Sequence, residues 1–98
     1  MANDNTKPEA IGKRIVRLRK ALEWPTAIAF ASFVDVSPQQ LSNYEKGRAR
    51  PDIDAGFRIC QKTGVTLDWL YRGDVSGLSI SLLQLLESPT PPGAERAS

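Results

Sequence analysis

AIAFASFVDVSPQQLSNYEKG, Ala27 to Gly47, decides the fold of this 98-residue chain. Its second half opens with Ser37-Pro38-Gln39-Gln40. A serine three residues ahead of a glutamine is a capping box, in which the hydroxyl accepts from the Gln40 N–H and the glutamine side chain reaches back. Pro38 falls at the first helical position, where no amide hydrogen is needed. Leu41 and Tyr44 give the helix an inward face, and Gly47 suits the left-handed residue that ends it. The first half places Ala27, Phe30, Ala31 and Val34 at helical spacing behind a Thr26 cap, which predicts a helix to about Phe33. Asp35-Val36 leaves room only for a tight turn between the two.

Toward the N-terminus, Ile11, Ile15, Leu18 and Leu22 recur at helical spacing, so a first helix runs to about Leu22. Thr6-Lys7-Pro8-Glu9 reads as its capping box. Pro25 separates it from the second helix. Toward the C-terminus, Arg48-Ala49-Arg50-Pro51 is a basic loop. Asp52 caps a fourth helix carrying Ile53, Phe57 and Cys60, which stops at Gly64. Thr66 caps a short fifth helix, Leu67 to about Arg72, and Gly73 stops it. Leu78 to Glu87 is a further apolar stretch, read as helical, and residues 88–98 read as a disordered tail rich in Pro, Ser, Ala and Gly. No strand pattern is present, so the expected class is all-α. The boundaries expected are an N-terminal arm over 1–8, a folded domain over 9–73, an apolar segment over 74–87 and the tail over 88–98.

Composition narrows the function. Histidine is absent, which removes the commonest general base and metal ligand. The single cysteine, Cys60, cannot form an internal disulfide or build a zinc site alone. No activated nucleophile–base pair stands out, so the chain is expected not to be an enzyme, with no cofactor and no metal. Nothing approaches the run of about 18 apolar residues of a membrane helix, and the polar N-terminus carries no signal-peptide segment. A cytoplasmic location follows as the expectation, with no membrane partner.

Charge is unevenly placed. Residues 7–50 hold nine basic and four acidic residues, net +5, whereas residues 51–98 hold four basic and six acidic, net −2. A basic half beside an acidic half fits one-sided contact with a polyanion, or simply a solvated surface. The outward face of the Ser37–Gly47 helix is Gln39, Gln40, Ser42 and Asn43. Glutamine and asparagine amides both donate and accept, matching the N6 and N7 edge of adenine in the major groove. Lys46, Arg48 and Arg50 follow directly and can hold phosphates, while the capped helix start at Ser37 offers backbone N–H groups to another. Taken alone, the same glutamines are also what an ordinary solvated face would carry.

The order and spacing of three pieces then matter. These are Leu18-Arg19-Lys20-Ala21-Leu22, the run Val36 to Pro51, and Thr63-Gly64-Val65-Thr66-Leu67-Asp68-Trp69-Leu70. Together, from about Gly12 to Gly73, the chain resembles the helix-turn-helix regulators of the lambda repressor, Cro and Xre type. The resemblance implies a compact five-helix DNA-binding domain, here with an extra C-terminal helix, whose third helix enters the major groove. It implies base reading by Gln39, Ser42 and Asn43, with Gln40 and Pro38 close to the groove, and backbone contacts from Lys46, Arg48 and Arg50. It makes Glu45 a structural acid paired with a base late in the first helix, Arg19 or else Lys20. It places Trp69 and Leu70 in a final core or interface helix. Three departures stand out. Ala27 replaces the glutamine that usually touches a phosphate and braces the recognition helix, moving that contact to Thr26 if it survives. Glu23-Trp24-Pro25 makes a longer turn without the usual glycine. Gly56 and Thr63 replace apolar residues of the fourth helix, and a glycine inside a helix, costing up to about 1 kcal/mol, signals close packing.

Leu78, Ile80, Leu82, Leu83, Leu85 and Leu86 are too apolar to remain in water. The reading preferred for them is a homodimer contact, formed by Trp69, Leu78, Leu82, Leu83 and Leu86, with packing on the chain's own domain as the alternative. A dimer would set two recognition helices about 34 Å apart on the half-sites of a palindromic operator. The resulting expectation is a bacterial or phage-encoded, nucleoid-associated transcriptional regulator, more a repressor than an activator, bound to double-stranded DNA. Its rivals are an antitoxin that binds a partner protein through Leu78–Glu87 and represses its own operon, and a protein-interaction module that has kept the fold.

Overall fold

The computed structural model describes residues 4–87. The expected tail over 88–98 and the first three residues of the arm lie outside them. A 3-10 turn, Asp4–Thr6, leads into six α-helices: α1 Pro8–Ala21, α2 Ala27–Val34, α3 Pro38–Glu45, α4 Ile53–Thr63, α5 Leu67–Arg72 and α6 Ile80–Glu87. Among the described residues there is no strand. The all-α, five-helix architecture with an added C-terminal helix is therefore the one the sequence predicts.

Local chemistry sets most of the boundaries. Thr26, Ser37, Asp52 and Thr66 each sit in extended backbone and accept a backbone N–H three residues on, so one otherwise unpaired donor of each helix start is satisfied. Gly47, Gly64 and Gly73 adopt positive φ after α3, α4 and α5, the conformation that closes a helix most cheaply when no Cβ is present. At α1 the expected capping box is not formed. The N-cap is Lys7, with no side-chain cap, because Thr6 is already part of the preceding 3-10 turn. Pro8 still occupies the first helical turn.

One core unites the elements. Ile11, Ile15 and Leu18 of α1, Phe30, Ala31 and Val34 of α2, and Leu41 and Tyr44 of α3 are buried together with Ala55, Ile59, Val65, Trp69, Leu70, Leu82 and Leu86. The face of α4 differs from the expected one. Its buried residues are Ala55, Gly56 and Ile59, while Ile53 and Phe57 are 59% and 48% exposed and Cys60 is half-buried. These three share one side of the helix, and at Gly56 that side lies close to α5. A Cβ built on Gly56 would stand 2.4 Å from the Tyr71 hydroxyl, which in turn donates to the carbonyls of Pro51 at 2.7 Å and Asp52 at 3.0 Å. Gly56 thus marks the close packing that its position predicts. Trp24, in the longer turn before α2, stacks on Phe33 at 4.7 Å between ring centroids and belongs to the fold.

Candidate nucleic-acid interface

The site is built on α3. Ser37 Oγ accepts from the Gln40 N–H at 3.1 Å, and Gln40 Oε1 accepts from the Ser37 N–H at 3.2 Å. Both halves of the capping box are present. Leu41 is fully buried and Tyr44 nearly so, which points the opposite side of the helix outward. Gln39 is exposed there, and Ser42 and Asn43, three and four residues on, share its face and are partly exposed. Gln40 is exposed as well, but its amide carbonyl is turned back to Ser37. Of the four expected base readers, Gln39, Ser42 and Asn43 thus keep their polar groups clear of the helix cap.

The basic residues follow on the same chain segment. Lys46, Arg48 and Arg50 are all exposed. Arg50 also donates through Nε to the Thr6 carbonyl at 3.0 Å, tying the loop to the N-terminal turn. Thr26 is exposed at the start of α2, where its hydroxyl accepts the Ala29 N–H at 3.1 Å.

What holds α3 in place comes from α1. Arg19 Nε lies 2.9 Å from Glu45 Oε2, with both side chains largely buried. This is the pairing expected for Glu45, and Arg19 rather than Lys20 makes it. Gly12 supplies a second anchor that sequence reasoning missed. A Cβ there would meet the Tyr44 carbonyl oxygen at 2.4 Å and the Glu45 carbonyl oxygen at 2.8 Å, so α1 lies flush against the last turn of α3. Gly47 also sits close to the backbone of Glu9, 2.9 Å from a built Cβ to Cα. The signal was available: a glycine inside a helix, read at Gly56, is also present at Gly12. Ala27 is a half-buried member of the core periphery and offers no polar brace; the polar anchoring of α3 runs through α1.

Residues 15–70, more than half of the chain, match a helix-turn-helix family model. The chain belongs to the helix-turn-helix family, of the Xre and lambda-repressor type. It is a DNA-binding transcriptional regulator. No curated protein and no solved structure matches it. No helix of the regulator's described residues is long and apolar enough to cross a membrane.

The matched span ends before α6, where the structure accounts for side chains expected at a dimer contact. Trp69, Leu82 and Leu86 are buried within the single chain, and Leu78 and Leu83 are partly buried. Arg17 Nε donates to the Leu86 carbonyl and Arg14 Nε to the Leu70 carbonyl at 3.0 Å. These two arginines therefore tie α1 to the ends of α6 and α5. Nothing in their sequence spacing distinguishes such anchors from solvated or phosphate-binding arginines.

Proposed function

We propose that this regulator is a repressor that binds an inverted-repeat operator as a homodimer, with α3 in the major groove. Gln39, Ser42 and Asn43 read base edges, while Thr26, the capped start of α3 at Ser37, and Lys46, Arg48 and Arg50 hold the backbone. One observation carries this reading. A helix anchored by Leu41, Tyr44 and Glu45 presents amide and hydroxyl side chains on its free face and runs directly into three exposed bases. Amides supply discrimination and cations supply sequence-independent affinity. Two copies reading an inverted repeat add the contacts that one short helix lacks, and a dimer seated on a promoter represses by occupying it.

The test is selection of bound sites from random duplexes, with the mass of each complex measured and binding followed against salt. The expected result is a palindromic site, two chains per duplex, and log K falling with log salt at a slope near −5, corresponding to about six neutralised phosphates. A flat salt response overturns DNA binding, and one chain on an asymmetric site overturns the dimer. Copurification with a neighbouring gene's product that is toxic alone moves the reading to an antitoxin.

A further inference from the structure

Three successive carbonyls of the N-terminal turn each hold a different part of the chain. The Asp4 carbonyl accepts the Lys7 N–H at 3.2 Å and closes the turn. The Asn5 carbonyl accepts from Arg14 Nη2, and the same guanidinium donates through Nε to the Leu70 carbonyl at 3.0 Å. The stop of α5 lies against both residues. A Cβ built on Gly73 would stand 3.1 Å from Arg14 Nη1 and 3.7 Å from Asn5 Cγ. Residues 4–6 are thereby seated on α1 and α5. The Thr6 carbonyl, so placed, accepts Arg50 Nε at 3.0 Å, across 44 positions of sequence. Arg50 is the last of the three exposed bases that follow α3. Among the described residues, no hydrogen bond or ion pair holds the head of Lys46 or Arg48.

We infer that the turn Asp4–Thr6 is a positioning element for the DNA contact, with the Thr6 carbonyl fixing the head of Arg50 before a duplex arrives. The inference rests on the backbone role proposed for Arg50 and adds the part that sets its geometry. An arginine captured by a phosphate loses rotamer freedom, and that loss weakens binding. A guanidinium already held at Nε has given up much of this freedom in the free protein. It is planar, so fixing Nε also fixes the plane in which its Nη pair is offered. A lysine carries all its donors on one nitrogen at the end of a flexible stem and has no second edge to fix. The Thr6 carbonyl brings no charge. The turn therefore changes how well Arg50 is aimed and leaves the number of phosphates neutralised as it was.

Thr6→Pro keeps every charge but drives Asn5 toward extended backbone, which opens the turn. In the free protein the Arg50 Nε–H is expected to exchange with water more slowly than that of Arg48, read by NMR, and to lose this protection in Thr6→Pro. The same substitution is expected to weaken DNA binding about two- to tenfold, the range set by freeing one long side chain. The loss is expected to be equal on a duplex recovered by the selection and on an unrelated one, with the salt slope unchanged. In an Arg50→Lys background Thr6→Pro is expected to leave affinity as it is, the coupling that a double-mutant cycle detects. Asn5→Gly with Thr6→Gly loosens the same turn through backbone freedom and is expected to give the same pattern, which keeps the test open if the proline disturbs α1. Nε–H exchange at Arg50 as fast as at Arg48 overturns the inference. So does an equal loss of affinity in the Arg50→Lys background, or tighter binding by the loosened variants. Absence of all duplex binding by the natural sequence defeats the functional reading separately, because exchange in the free protein still decides whether the turn holds Arg50.

Discussion

Gln39 and Gln40 are adjacent, both exposed and chemically identical, yet their surroundings assign them different work. The Gln40 carbonyl closes the capping box with Ser37, whereas no cap engages Gln39. Replacing Gln39 with Ala is expected to cost about 1–3 kcal/mol of operator affinity and relax preference at one base position. Replacing Gln40 with Ala is expected to lower the stability of the domain by about 1 kcal/mol or less while the preferred site stays the same, as loss of half a cap implies. Site selection and denaturant melts on the two variants separate these outcomes. Arg50 makes a third case, since its Nε already holds the Thr6 carbonyl. Arg50→Ala is expected to weaken binding to every duplex alike and to flatten the salt slope by about one unit.

At the scale of elements, α6 is the addition to the matched helix-turn-helix span, and its role can be decided by where its leucines register. Leu82→Ala is expected to destabilise the monomer by about 2–3 kcal/mol, because Leu82 is buried within the chain and truncation leaves a cavity. For a domain of this size that is a loss of roughly 10–20 °C in Tm, read by thermal melting at a concentration where the protein is monomeric. If Leu82 served only a second subunit, the monomer's melt would not move. The helices themselves were legible because caps and stops are local: Ser37 with Gln40, Asp52, Thr66, Gly64 and Gly73 act within a turn of the chain. The recognition helix was legible for the same reason, together with the Arg19–Glu45 pair that the family resemblance implies. Faces set by distant partners were not. Ile53 and Phe57 read as core by apolarity alone, but the face that α4 turns to its neighbours carries Ala55, Gly56 and Ile59, which puts Ile53 and Phe57 on the opposite side. Thr6 reads as a cap, but a 3-10 turn formed by the residues before it claims it first.

For the molecule as a whole, Tyr71 joins α5 to the loop ahead of α4, and this gives stability an alkaline limit. Burial, with Cys60, Asp52 and Tyr44 nearby, pushes its phenol up to about 12 from an ordinary 10.0, and burial raises the Cys60 thiol to about 11 from 9.0. The folded chain thus keeps protons that the unfolded chain gives up, so these contributions are intact below about pH 9 and decline as pH rises toward 12. Urea midpoints measured from pH 8 to 12 are expected to fall over that window, and more gently in Tyr71→Phe, which has no phenol to ionise. A slope unchanged by that substitution would remove Tyr71 as its source. The seating of α3 has a different kind of consequence. Gly12 abuts main-chain oxygens of Tyr44 and Glu45, atoms that every amino acid possesses. The tilt of α3 is thereby insulated from whatever residues occupy its outer surface. On the proposed reading, positions 39, 42 and 43 can therefore be rewritten to suit another operator while α3 keeps its seat.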